Sequence, residues 1–436
     1  MFKGFCSVLC ASALLLSESG LANAVSGSDF DQGVDVGRTL QAMKASGAEG
    51  VPDLGPQGPS AARAGRAEWT IMYYINAKNN LAPYVDPDMN HMEEVGSSDD
   101  LKVVVEMGKP AVSTKRFLMR KDDSTGTVTS PVVLDMGTVD MGDWRHLAEF
   151  GRWVKAHYPA RHYMLSIWNH GSGWLQSSGD EPPGPFTPQG ISYDDESGHH
   201  ISTTDLGLAL EAMGGVDIYA SDACLMQMAE VGYELRDRAG IILGSEQTEP
   251  AVGWNYAQYL GPLLDNPNMS PEQLSRTYLD AFRRSYAASG HNTTQSSVSS
   301  RAFRRFVPVV NAWTTAVMAA GEKDIVKAAR EGVQSYADRD NIDLVHFARL
   351  ISDRTGSRTV VTASDSLIRY IREKLVTGNS VTGSGLENSA GMAVYMPTGS
   401  VSENYAQLAW ARDSGWPAFA RWVAGLYAAQ PHSSGR

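Results

Sequence analysis

The stretch VDIYASDAC, residues 216–224, decides how this chain folds, because it is apolar and β-branched up to residue 220 and then turns polar. Such a run is typical of a strand buried inside a sheet. A similar run, YMLSIW at 163–168, precedes it and continues into NHGSGW at 169–174. The helical pattern over 205–213 lies between the two runs, so we predict two parallel strands joined by a helix.

Further strands are predicted on both sides of this pair, at 69–75, 101–107, 115–120 and 241–244, with helices over 144–157 and 227–238. Strands that alternate with helices of this length predict an α/β protein whose mostly parallel sheet is covered on both faces. We assign residues 67–261 to this core. Residues 262–436 are predicted to form a mainly helical region packed on it, with helices over 271–289, 306–336, 344–353, 365–376 and 416–428 and a late strand at 391–395.

The beginning of the chain has the pattern of a secretory signal, with Lys3, an apolar run over 5–16 and small residues up to Ala24. We expect residues 1–24 to be removed by cleavage after Ala24. The apolar run is too short to span a bilayer. Residues 25–66 are rich in Gly, Ser, Ala and Pro and are predicted to be a flexible prosegment or linker.

The formal net charge of −12 argues against nucleic acid and anionic membrane as partners. Together with the signal, this leads us to expect an exported monomer, periplasmic or secreted.

Removal of the signal takes Cys6 and Cys10 with it and leaves Cys224 as the single cysteine. An unpaired thiol is at risk of oxidation in an exported protein, so its presence suggests that it is used. The alternative is a buried cysteine that acts as a small apolar side chain.

Cys224 and His170 each follow a predicted strand, and the carboxyl ends of parallel strands meet at one edge of a sheet. A thiol beside an imidazole is what nucleophilic catalysis by sulfur requires. Gly171 has no Cβ, so a substrate carbonyl can approach its N–H, and this N–H together with that of Cys224 could hold an oxyanion. The alternatives are a histidine satisfied within a loop and a plain glycine turn.

Five motifs together resemble the clostripain family of cysteine peptidases, which belongs to the caspase-like clan. They are NHGSGW at 169–174, SDAC at 221–224, GSEQTEP at 244–250, GWNY at 253–256 and GMAVYMP at 391–397. The resemblance runs from about Trp69 to the end of the chain. It implies a caspase-like fold, with Cys224 as nucleophile and His170 as general acid/base of a dyad that hydrolyses peptide bonds through an acyl-enzyme.

The resemblance also implies cleavage after Arg or Lys, with Asp222 in the base of the S1 pocket. A carboxylate forms strong charge-assisted hydrogen bonds with a guanidinium. Asp222 could instead cap a helix that begins near Leu225. Glu246 and Glu249 lie in a loop that could line the same pocket, and the alternative for both is a solvated loop acid.

Two features depart from the family pattern. Relatives are often activated by self-cleavage after a basic residue between the catalytic histidine and cysteine, but no Lys or Arg lies between Arg161 and Arg236. We therefore predict processing near Arg63 or Arg66, which removes residues 25–66. The second departure is Lys78, where relatives often carry an acid.

No required cofactor and no metal site are predicted. Asp194, Asp195 and Glu196 bring hard oxygen donors together, and some relatives depend on calcium, which keeps calcium as an alternative. The triplet lacks the alternating ligand spacing of a calcium loop, so a solvated turn is favoured. The pair His199 and His200 has no further ligand at suitable spacing, which argues against zinc.

The sequence thus predicts an exported cysteine endopeptidase that cleaves after Arg or Lys. Two alternatives stay open. One is a peptidase of the same fold that does not require a basic P1 residue. The other is a catalytically silent module that binds peptides.

Overall fold

The computed structural model describes residues 65–428, apart from residues 125, 175–189, 252 and 288. Ala24, Arg63 and the Pro-rich loop between His170 and Cys224 lie outside the described residues. Arg66 is described and exposed, and its Nε donates to the carbonyl oxygen of Ala160 at 2.8 Å. The domain boundaries and processing positions stay predictions.

The described strands are β1 (Ala67–Asn76), β2 (Leu101–Gly108), β3 (Thr114–Leu118), β4 (Val132–Gly137), β5 (Ala160–Trp168), β6 (Ile191–Asp194), β7 (His199–Ile201), β8 (Val216–Asp222), β9 (Ala239–Gly244), β10 (Thr293–Ser299), β11 (Asn341–Asp343), β12 (Val376–Thr382) and β13 (Ala393–Tyr395). The described α-helices are α1 (Val85–Glu93), α2 (Trp144–His157), α3 (Thr203–Ala212), α4 (Ala229–Glu234), α5 (Ala257–Asp265), α6 (Pro271–Tyr286), α7 (Phe303–Ala320), α8 (Lys323–Gly332), α9 (Leu344–Ser352), α10 (Arg358–Tyr370), α11 (Ala409–Asp413) and α12 (Trp416–Ala424).

Nine of these strands form the central sheet, in the order β12-β10-β9-β8-β5-β1-β2-β3-β4. The five central strands, from β9 to β2, run parallel, and the two strands at each edge are antiparallel. The predicted α/β class with a mostly parallel sheet is confirmed. Two small antiparallel pairs, β6-β7 and β11-β13, lie apart from this sheet.

Apolar side chains cover the sheet on both faces, which makes the fold a three-layer α/β/α sandwich. Along β1, Trp69, Ile71 and Tyr73 belong to one core, with residues of α1, α5 and α6, whereas Met72 and Tyr74 belong to the other. The second core includes residues of α2, α3 and α7. This burial on both faces explains why the sequence of β1 is apolar at successive positions, rather than alternating between apolar and polar residues.

Two strands after residue 262, β10 and β12, extend the central sheet. The single helix expected over 306–336 is two helices, because Gly321 ends α7 in the left-handed conformation, with φ 67°. Glycine adopts this conformation without strain and is the usual residue at such a helix end. In the described part of the chain we find no helix with the length and apolarity that crossing a bilayer requires.

One buried acid of this scaffold gives the fold a pH dependence. Glu230 in α4 is fully buried, and its Oε1 accepts from the N–H of Tyr395 at 3.0 Å and from the hydroxyl of Tyr405 at 2.7 Å. Its Oε2 has no partner among the described residues. Burial raises the pKa of Glu230 to about 7, so the folded state favours the protonated acid.

We expect Glu230→Gln to be more stable than the wild type above neutral pH. The unfolded acid titrates near 4.5, so the wild type loses stability as pH rises from there through about 7. The full loss is about 3 kcal/mol. Glutamine resembles the protonated acid at every pH and removes this loss. Urea unfolding of both proteins at pH 5 and pH 8 measures it, and equal pH dependence of the two proteins would contradict it.

Candidate active site

The register of the central sheet brings His170 and Cys224 to the same edge. Trp168 of β5 pairs with Asp222 of β8 in parallel register. His170 and Cys224 each lie two residues beyond that pair, in the loops that leave the carboxyl ends of neighbouring strands. The fold therefore places the two predicted catalytic residues in adjacent loops at one edge of the sheet.

Gly171 is the residue that lets these two loops close on each other. A Cβ at this position would lie 2.5 Å from the backbone oxygen of Cys224 and 3.0 Å from the Cβ of Ala223. Both distances leave no room for a side chain, so packing requires a glycine here. This reason adds to the one from the sequence, that a glycine lets a substrate carbonyl approach the backbone N–H. The backbone of Gly171 lies directly against the loop of residues 223–228, which carries Cys224 and which we call the thiol loop.

The thiol of Cys224 is held in a tight turn. Its Sγ accepts from the N–H of Glu249 at 3.2 Å, and the next residue, Leu225, has φ 64°, which is strained for a side chain of this kind. The N–H of Leu225 donates to the carbonyl oxygen of Gln247 at 3.2 Å. Burial raises the pKa of the Cys224 thiol, and nearby Asp222 raises it further. The thiol therefore needs a proton acceptor close by to become a thiolate.

His170 is oriented by a residue that sequence reasoning missed. Its Nε2 lies 2.7 Å from Oδ1 of Asn80, which can accept a hydrogen bond from it. This contact leaves Nδ1 as the unprotonated nitrogen. Burial lowers the pKa of His170, and Asp195 opposes that effect. Asn80 follows β1, a neighbour of β5, so its position at the same sheet edge was the available signal.

Asp222 lies beneath the thiol loop and is 9% exposed. Its Oδ2 accepts from Nε1 of Trp254 at 3.2 Å and from the hydroxyl of Tyr256. Helix α4 begins only at Ala229 and has no side-chain cap, so the alternative that Asp222 caps a helix near Leu225 is wrong. Burial raises the pKa of Asp222.

Two further acids join Asp222 in what we call the buried acid cluster, formed by Asp88, Asp222 and Glu249. Burial is the first cause that raises the pKa of Glu249, followed by the charges of Asp222 and Cys224. Asp88, from α1, accepts from Nε1 of Trp168 at 2.8 Å, and burial and Asp222 raise its pKa. Among the described residues, Oε2 of Glu249 has no hydrogen-bond partner. The Asp222 and Glu249 carboxyls also share a hydrogen bond, which opposes the rise in the pKa of Asp222 and adds to the rise in the pKa of Glu249.

Glu246 lies in a different place from the one that the sequence suggested. It is 1% exposed, and it accepts from the hydroxyl of Tyr336 at 2.7 Å and from the N–H of Gly391 at 3.2 Å. Burial is the main cause that raises the pKa of Glu246, and Asp343 adds to it. These contacts tie Glu246 to the C-terminal half rather than to Asp222. Glu246 is buried, and Glu249 is half-buried with its Oε2 shielded from solvent, so neither is a freely solvated loop acid.

In the 194–196 turn, Asp195 and Glu196 are exposed, as the sequence favoured, whereas Asp194 is buried. Asp194 is 1% exposed, and its Oδ2 lies 3.6 Å from Nζ of Lys78, whereas Oε2 of Glu196 lies 3.1 Å from the same atom. His199 contacts Asp140, and the His200 ring stacks on Tyr193. Within the part of the chain that the structure describes, we find no group of three or more His, Cys, Asp or Glu side chains placed to hold a metal.

The sheet order and the two loops at its carboxyl edge define the caspase-like fold. The family model described as the clostripain family, Peptidase C11, matches residues 73–423. Because this match covers most of the chain, the chain belongs to the clostripain family. Clostripain of Hathewaya histolytica is 28% identical over 196 residues, which are 39% of this chain and 36% of the length of clostripain.

Solved structures agree with this fold. A secreted C11 cysteine protease of Bacteroides thetaiotaomicron, solved with an irreversible peptide inhibitor, has a TM-score of 0.62 at 20% identity and covers 82% of this chain and 99% of its own. An inactive zymogen C11 protease of Parabacteroides distasonis has a TM-score of 0.62 at 20% identity, with coverage of 80% and 98%. At this level of identity the likeness establishes the fold alone.

Proposed function

We propose that the chain is an exported monomeric cysteine endopeptidase that cleaves after Arg or Lys, with Cys224 and His170 as its catalytic dyad. The observation that carries the proposal is the buried acid cluster directly beneath the thiol loop. Membership of the clostripain family supports peptide hydrolysis, and the likeness to a secreted protease supports export.

The reaction begins with transfer of the Cys224 proton to Nδ1 of His170, and the thiolate then attacks the carbonyl carbon of the scissile bond. The negative charge on the carbonyl oxygen is held by the N–H groups of Gly171 and Cys224. His170 returns the proton to the leaving amine, and the acyl group stays on Cys224. Water, deprotonated by His170, attacks the thioester and releases the acid, which regenerates the thiol.

Specificity follows from the buried acid cluster. Asp222 and Glu249 are carboxyls in a low-dielectric site, and their raised pKa values express how unfavourable their charges are without a partner. A guanidinium or ammonium from the P1 residue supplies that partner through charge-assisted hydrogen bonds. A neutral P1 side chain would leave the two carboxyls without a cation, which disfavours its binding.

The test is a panel of fluorogenic peptides that differ only at P1, assayed with the purified protein with and without calcium. We expect cleavage after Arg or Lys to exceed cleavage after Ala or Leu by at least about 100-fold in kcat/KM. Cleavage confined to neutral P1 residues would retain the peptidase and discard the basic pocket. If no peptide is cleaved, even by protein trimmed near Arg66, the silent peptide-binding module replaces the proposal.

A further inference from the structure

Lys78 is a buried cation at the catalytic edge of the sheet. Its side chain is 1% exposed, and its Nζ lies 3.6 Å from Oδ2 of Asp194 and 3.1 Å from Oε2 of Glu196. The same Nζ donates to the carbonyl oxygen of Val139. The side chain of Asp194 is fully buried. Burying charges of this kind is costly unless they are paired, so each of these groups depends on the others.

The backbone around Lys78 connects the 194–196 turn to the catalytic histidine. The carbonyl oxygen of Lys78 accepts from the N–H of Asp195 at 2.9 Å, and Nδ2 of Asn79 donates to the carbonyl oxygen of Tyr193 at 2.8 Å. The next residue, Asn80, makes the 2.7 Å contact with Nε2 of His170. Three consecutive residues thus bind the turn on one side and His170 on the other.

The charges near His170 also depend on Lys78. Asp195 is the acid whose charge acts on His170, and its own pKa is raised first by burial, with Asp194 adding to the increase. The Asp194 carboxylate accepts from the N–H groups of Met141, Glu196 and Ser197, but without Lys78 it would lose the cation that balances its charge inside the protein. The expected response is that the turn moves towards water, because an uncompensated charge is poorly tolerated in the interior.

We propose that Lys78 is a positioning residue, an internal cation that fixes the 194–196 turn and Asn80 and thereby keeps the imidazole of His170 directed at Cys224. This inference rests on the proposed function, because Lys78 acts through the His170–Cys224 pair. Lys78 lies in a different loop from the buried acid cluster, so its effect is on the chemical step rather than on P1 binding.

The experiment compares Lys78→Met, Lys78→Arg and the control Lys109→Met in the full chain. Lys109 is also ion-paired, with Asp86 at 2.5 Å, but its side chain is partly exposed and that of Asp86 is exposed. We expect Lys78→Met to lower kcat about 10- to 100-fold, the size of a lost acid/base contribution, with KM changed less than threefold. Lys78→Arg keeps the charge, so its kcat should lie within tenfold of the wild-type value. The kcat of Lys109→Met should equal that of the wild type.

A second readout follows the thiol without any substrate. The rate at which iodoacetamide alkylates Cys224 at pH 6.5, quantified on the peptide that contains it, reports the thiolate that His170 stabilises. We expect this rate to fall about tenfold or more in Lys78→Met and to recover in Lys78→Arg. If the wild type cleaves no peptide, the proposed function fails, and the alkylation rate alone then tests the role of Lys78. The two failures can therefore be told apart.

Loss of the fold is a separate outcome of Lys78→Met, because it leaves the Asp194 carboxylate without its cation. In that case the triple variant Lys78→Met, Asp194→Asn, Glu196→Gln removes all three charges, and we expect it to fold with kcat and the alkylation rate still reduced. A folded Lys78→Met or triple variant with wild-type kcat and alkylation would overturn the proposal. So would a Lys78→Arg variant as impaired as Lys78→Met.

Discussion

Replacement of Cys224 by alanine is expected to reduce peptide cleavage by about 10⁴-fold or more, because it removes the sulfur that we propose forms the acyl-enzyme. The fold should tolerate the change. The thiol is partly exposed and accepts one hydrogen bond, from the N–H of Glu249. The loss should therefore appear in kcat, with KM for an Arg peptide within a few-fold of the wild type where enough residual activity remains.

Two measurements make this prediction specific. A peptide aldehyde with Arg at P1, which bonds covalently to a thiolate, should inhibit the wild type but bind the alanine variant only weakly and reversibly. Thermal unfolding of the two proteins should agree within a few degrees. Residual cleavage above about 1% of the wild type, with contaminating protease excluded, would mean that Cys224 is not the nucleophile.

The second large effect is expected at Asp222. Asp222→Asn should lower kcat/KM for Arg peptides by about 10²- to 10³-fold, since the pocket loses the charge that pairs with the guanidinium. Cleavage of peptides with neutral P1 residues should change by less than tenfold. The ratio of the two activities is the internal control, because general damage to the site lowers both equally. Equal loss on both substrates would assign Asp222 a structural role through Trp254 and Tyr256.

The pH dependence of binding follows from the same cluster. Burial raises the pKa of Asp222 and of Glu249, so at low pH these carboxyls are protonated and offer no charge to a P1 cation. As pH rises they ionise, and the cation binds the ionised form. KM for Arg peptides should therefore fall with rising pH in the wild type, and this dependence should weaken in Asp222→Asn.

The sequence predicted the central strands well because each is an apolar run buried on two faces. Helix α2 matches its predicted bounds, since its apolar residues recur at helical spacing along one face. His170 and Cys224 could be paired in advance because both follow strands of a parallel sheet. The same logic places Asn80 at that edge, but nothing local distinguished it from the neighbouring Asn76 and Asn79.

Strand β10 is a buried strand that a search for apolar residues in the sequence does not predict. Its sequence, TTQSSVS at 293–299, has one apolar residue, yet nearly all of it is buried. Hydroxyl pairs replace apolar packing: Ser297 with Thr377 at 2.8 Å and Ser245 with Thr294 at 2.9 Å. Asp88 was missed for a related reason, because its place beside Asp222 depends on how α1 packs rather than on its own neighbours in the chain.

The thiol loop is completed by residues that are translated late. The carbonyl oxygen of Gln227 accepts from the N–H of Ala393 at 3.1 Å, Nε2 of Gln227 donates to Ser296, and Glu246 accepts from the N–H of Gly391. A growing polypeptide that has passed Cys224 still lacks these partners until residue 393 has been made. The order of synthesis therefore delays complete assembly of this edge of the sheet until the C-terminal half of the chain has been made.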